Sequence, residues 1–68
     1  MKFDSAPLQV LRLREVKRRT GLSTSSIYQL AREGKFPRQI KLGPHAVGWL
    51  DHEVNAFIAD RAAERGRP

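Results

Sequence analysis

Apolar residues recur along this chain in two rhythms, and the rhythm changes wherever glycine or proline interrupts it. Leu13, Val16 and Thr20 are spaced by three and four, one face of a helix. That spacing predicts a short helix from about Arg14 to Thr20. Gly21 closes it, with Arg18 and Arg19 in a last turn where cations suit the helix dipole. Val10-Leu11-Arg12-Leu13, just ahead, reads as a brief strand or an extended lead-in. Gly21-Leu22-Ser23 is a tight turn in which Leu22 points inward and Ser23 offers an N-cap hydroxyl. A second helix is predicted from Thr24 to about Glu33, with Ile27, Leu30 and Ala31 inward and Thr24, Ser25, Tyr28, Gln29 and Arg32 outward. Gly34 stops it.

The second rhythm is alternation. Phe36-Pro37 forbids a further helical turn, and Gln39-Ile40-Lys41-Leu42 then alternates polar with apolar, a strand pattern. Gly43-Pro44-His45 is turn material, and Ala46–Leu50 reads as a second strand with Val47 and Trp49 on one face. The pair makes a β-hairpin. Helical spacing returns at Val54, Phe57, Ile58 and Ala62, with Asp51 as the expected N-cap and Glu53 in the first turn.

The fold class is therefore mostly α with a small β-hairpin: helix, tight turn, helix, two-stranded hairpin, helix. The expected core is Leu13, Val16, Leu22, Ile27, Leu30, Phe36, Ile40, Leu42, Val47, Trp49, Val54, Phe57 and Ile58. Residues 1–9 read as a flexible leader, 10–64 as the folded unit and 65–68 as a frayed end. With 68 residues the core is small, so each large apolar side chain matters. Without cysteine no disulfide or thiolate site can supplement it.

Charge adds what the pattern lacks. The net charge is +6, and the excess sits between residues 12 and 41. There Arg12, Arg14, Lys17, Arg18, Arg19, Arg32, Lys35, Arg38 and Lys41 face only Glu15 and Glu33. A localised basic field favours a polyanionic partner. Two short helices joined by Gly-Leu-Ser carry helix-turn-helix punctuation, in which the second helix lies in the major groove of duplex DNA.

The residue types fit that position. Ser23, Thr24 and Ser25 are short hydroxyls at a helix N-terminus, and Tyr28 can donate to a phosphate. Gln29 can bond adenine, and Arg32 can reach guanine or a phosphate. On the flanks, Lys17, Arg18 and Arg19 of the first helix are candidates for backbone contact. Arg38, Lys41 and His45 of the hairpin are candidates for the backbone or the minor groove. Trp49 alternates with Val47 and reads as a core anchor, not a stacking platform.

Other chemistries find little support in the sequence. Asp51-His52-Glu53 are neighbours on a helix and point in different directions. His45 and His52 lack cysteine partners and zinc-like spacing, so no metal, cofactor or small-molecule ligand is expected, and no enzymatic activity. No stretch approaches the roughly 20 apolar residues of a membrane span, and Met1 to Pro7 holds no apolar run, so a cytoplasmic, nucleoid-associated protein is expected.

An ordered set of segments resembles a known family. Leu11-Arg12-Leu13, Glu15-Val16, Thr20-Gly21-Leu22-Ser23, Ser26-Ile27-Tyr28, Gly34-Lys35-Phe36-Pro37, Ile40-Lys41-Leu42-Gly43, Val47-Gly48-Trp49 and Glu53-Val54 resemble the AlpA family of phage and prophage regulators, across residues 10–62. These belong to the MerR-like, excisionase-like winged helix-turn-helix domains. The resemblance implies a transcriptional regulator or recombination directionality factor of a mobile element, with the second helix as recognition helix and the hairpin as wing. It departs from the family at Gln29 and His45, where arginine is common. Gln29 shifts the balance toward base readout, and His45 replaces a permanent charge with a titratable one.

The expected partner is double-stranded DNA, with a homodimer or side-by-side copies as the arrangement that would lengthen the site. The alternative is a small protein-interaction module, antitoxin-like, whose basic face is incidental.

Overall fold

Gly21 adopts φ 75°, and its N–H donates to the Lys17 carbonyl at 2.8 Å, which closes the first helix where the sequence places the stop. Two residues on, Ser23 is the N-cap of the next helix, its hydroxyl accepting from the Ser26 N–H at 3.1 Å. Gly34 at φ 77° ends that helix, and Lys35 N–H returns to the Leu30 carbonyl at 2.8 Å. These local devices set the chain reversals.

A computed structural model describes residues 8–66. It contains β1 (Val10–Leu11), α1 (Leu13–Thr20), α2 (Thr24–Arg32), β2 (Ile40–Gly43), β3 (Ala46–Leu50) and α3 (Asp51–Glu64). Most of the expected leader and the last two residues of the chain lie outside the described residues. No helix among the described residues is long and apolar enough to cross a membrane.

The hairpin is part of a three-stranded antiparallel sheet in the order β1-β3-β2. Val10 pairs with Leu50 and Leu11 with Trp49, while Ile40 pairs with Gly48 and Lys41 with Val47. The register shifts between Lys41 and Gly43, which marks a bulge in β2. The expected two-stranded hairpin thus gains a third strand. It is only two residues long, too short for alternation to announce it.

The register decides which apolar residues are inside. Ile40 lies opposite Gly48, on the face away from Val47 and Trp49, and Leu42 comes within reach of the same glycine. Ile40 and Leu42 were expected in the core; they are 36% and 45% exposed instead. A strand alternates faces with period two, so their place follows from pairing with β3, not from their own apolarity.

The buried set is Leu11, Val16, Ile27, Ala31, Phe36, Trp49 and Val54, with Leu13, Leu22, Tyr28, Leu30, Val47, Phe57 and Ile58 packed around it. Leu11 enters because β1 joins the sheet. Trp49 is fully buried, and its Nε1–H donates to the Pro37 carbonyl at 3.1 Å. Phe36 and Phe57 meet edge to face at 4.7 Å between ring centres, which ties the segment after α2 to α3.

Asp51 is not the cap of α3. It is the first helical residue, and Leu50 is the N-cap without a side-chain cap bond. β3 runs directly into the helix, and the Asp51 N–H is taken by the Gln9 carbonyl at 2.8 Å. The carboxylate accepts instead from Arg19 of α1 at 2.5 Å and from Asn55 at 3.3 Å, so it joins α1 to α3.

Candidate nucleic-acid interface

Nine residues at about 1.5 Å per residue make α2 roughly 13 Å long, and a helix with its side chains is about 10–12 Å across, which a major groove about 12 Å wide admits. Ile27 and Ala31 fix its inner edge in the core. Helical spacing then turns Ser25, Gln29 and Arg32 to the surface, where all three are exposed. Thr24 is half-buried and Ser23 exposed. The Gln29 side-chain N–H donates to the Glu33 carboxylate at 3.2 Å, which leaves its carbonyl oxygen free and orients the amide.

Tyr28 differs from expectation. It is half-buried, its ring edge-on to Trp49 at 5.8 Å and 63° between planes. Trp49 thus sets the position of a residue on the α2 surface. Tyr28 also lines two clefts. One is formed with Ala31 and Arg32 of α2 and with Arg38 and Gln39 from the segment before β2. The other is formed with Arg12, Leu13 and Arg14 at the start of α1 and with His45 and Val47 of the hairpin. Lys41, opposite Val47 in the register, shares the sheet face of that second cleft.

The cations fall into two groups. Arg18 and Arg19 both bond the Glu15 carboxylate, and Arg19 also pairs with Asp51. Lys35 stands 3.6 Å from Glu33, and Arg61 is at the limit of pairing with Glu64. Arg12, Arg14, Lys17, Arg32, Arg38 and Lys41 have no ion-pair partner among the described residues, and each is exposed. Of the three first-helix cations that the sequence offers, Lys17 is therefore available, Arg18 is committed to its own helix, and Arg19 is held by Glu15 and Asp51. Arg12 and Arg14 were not singled out, although their place beside Leu13 at a helix start was a signal open to reading. His45 reaches the same cleft as those two arginines.

Hydrogen bonds from Arg18 first, and from Arg19 second, hold the Glu15 carboxyl below the ordinary carboxylate range. A carboxylate with a depressed folded-state value stabilises the fold above its unfolded value and loses that contribution as pH falls through the folded one. Denaturant midpoints measured down an acid series are expected to fall more steeply in the wild type than in Glu15→Gln. Parallel curves would show that the Glu15 pairs do not contribute to stability.

Residues 9–62 match the family model described as the prophage CP4-57 regulatory protein (AlpA), a span that starts just before β1 and ends within α3. The chain belongs to the AlpA family. Among its relatives is the uncharacterized protein ORF88 of Enterobacteria phage P4, 51% identical over 64 residues covering 94% of this chain and 73% of the phage protein. A more distant relative is the DNA-binding transcriptional activator AlpA of Escherichia coli (strain K12), 28% identical over 64 residues covering 85% of this chain and 91% of that protein. AlpA membership places the chain in a regulatory family, not an enzyme family. Among the described residues no group of three histidine, cysteine or acidic side chains could hold a metal ion. What this AlpA-type chain presents instead is an exposed helix edge flanked by unpaired guanidinium groups.

Proposed function

We propose that this chain is a winged helix-turn-helix protein that binds duplex DNA, with α2 in the major groove and the β2–β3 hairpin as the wing, and that it regulates the genes or the recombination of a mobile element. The observation that carries the reading is the exposed outer edge of α2 bordered by two clefts lined with arginine. Ser25, Gln29 and Arg32 face the base edges, Ser23 and Thr24 approach the backbone at the helix start, and Tyr28 contacts the sugar-phosphate wall. Lys17, Arg38, Lys41 and His45 lie along the flanks, and Arg18 contributes through the field of α1. The relative named as a DNA-binding transcriptional activator supports the same assignment. An adaptor role would leave unexplained why these cations remain unpaired beside one helix.

Selection from a random duplex pool at moderate salt tests the reading. One enriched sequence motif is expected; a pool that stays unenriched would overturn it. Within the selected site, Arg32→Ala is expected to weaken binding by about 1–3 kcal/mol and to relax preference at one base pair. A loss of equal size on unrelated duplexes would move Arg32 from base readout to phosphate contact.

A further inference from the structure

We propose that Arg12 and Arg14 together clamp a backbone phosphate of duplex DNA, an inference that rests on the duplex-binding reading above and adds a contact that α2 and the wing do not supply. The two arginines line a single cleft with Tyr28 of α2, His45 at the β2–β3 turn and Val47 of β3. Among the described residues no carboxylate lines that cleft. Glu15, the one acidic residue of α1, lies in the same first turn, but its carboxylate is bonded by Arg18 and Arg19 and pairs with neither Arg12 nor Arg14. Both guanidinium groups are exposed and free of ion pairs among the described residues.

Two positive charges gathered at one cleft repel each other until an anion sits between them. A guanidinium fork matches the oxygens of a phosphodiester and bonds it in two-point fashion. A duplex seated on α2 brings that anion to the cleft, because Tyr28 is shared between this cleft and the one holding Arg32 and Arg38. A backbone strand that passes one cleft passes close to the other. Such a contact fixes the register of α2 in the groove and carries no sequence information of its own.

The test compares wild type, an Arg12→Ala/Arg14→Ala variant and an Arg12→Lys/Arg14→Lys variant. Affinity is measured across a salt series on a selected duplex and on a random-sequence duplex, and thermal melts check the fold of each protein. In the alanine variant, the slope of log affinity against log salt is expected to shrink by about 1. Affinity should fall by the same factor on both duplexes, so that preference between them is unchanged. The lysine variant keeps the wild-type slope, which separates loss of charge from loss of fold. An alanine variant with the wild-type slope overturns the clamp, as does a loss confined to the selected duplex. A wild-type protein that shows no salt-dependent binding to either duplex refutes the duplex-binding reading, and the clamp with it.

Discussion

Trp49→Ala is expected to abolish cooperative folding. The ring is fully buried, packs edge-on against Tyr28 and donates its Nε1–H to the Pro37 carbonyl at 3.1 Å. Truncating a buried tryptophan costs about 3–5 kcal/mol through lost transfer energy and the cavity left behind. A chain of this length has a total stability of about 3–10 kcal/mol, so the loss consumes much or all of it. Trp49→Phe provides the control. It keeps an aromatic ring in the site and strands the Pro37 carbonyl, at a cost of about 1–3 kcal/mol for an unmet hydrogen bond. Urea titration followed by circular dichroism should show no cooperative transition for alanine and a weakened but cooperative one for phenylalanine. An unchanged midpoint in the alanine variant would show that Trp49 is not the anchor of the core.

Gly48→Ala is expected to be the next most damaging single change. A Cβ built at Gly48 would collide with Val10 Cγ1 and come to 3.0 Å from both the Leu11 carbonyl oxygen and Leu42 Cδ1. Val10 is β-branched and stiff, and the Leu11 oxygen is backbone, so neither gives way easily. Only Leu42 can turn aside. Overpacking of this kind costs about 1–3 kcal/mol, and here the upper end is expected. The damage should centre on the β1–β3 pairing, because β1 is what presses on the glycine. Val10→Ala in the Gly48→Ala background should recover part of the loss, and the Leu11 carbonyl should prevent full recovery. Full stability in the single variant would show that β1 is not held against β3 in solution.

The two substitutions differ in how far the sequence announces them. The importance of Trp49 follows from its alternation with Val47 beside a turn and ahead of a helix, all within a few residues. The importance of Gly48 follows from the approach of β1, a strand of two residues distant in the chain. Nothing near Gly48 in sequence reports that approach. Tyr28 shows a mixed case. Its place on the surface of α2 is legible from helical spacing, but its edge contact with Trp49 is a matter of packing.

The candidate interface divides the same way. Ser25, Gln29 and Arg32 could be read from the period of α2, because the buried face of one helix dictates its exposed face. The pairing state of the cations could not. Arg18 and Arg12 look alike in sequence, yet one is held by Glu15 and the other opens onto a cleft with His45.

What the amino-acid order alone determined is the succession of elements and their ends: helix stops at Gly21 and Gly34, the cap at Ser23, the strand pair around Pro44-His45, and the basic segment between residues 12 and 41. These depend on interactions a few residues long. The tertiary structure alone decided that β1 completes the sheet, that Ile40 and Leu42 face outward, that Asp51 serves Arg19 instead of capping, and which arginines remain free. Each of those outcomes turns on strand register or on side chains from distant parts of the chain, and neither is written in local spacing.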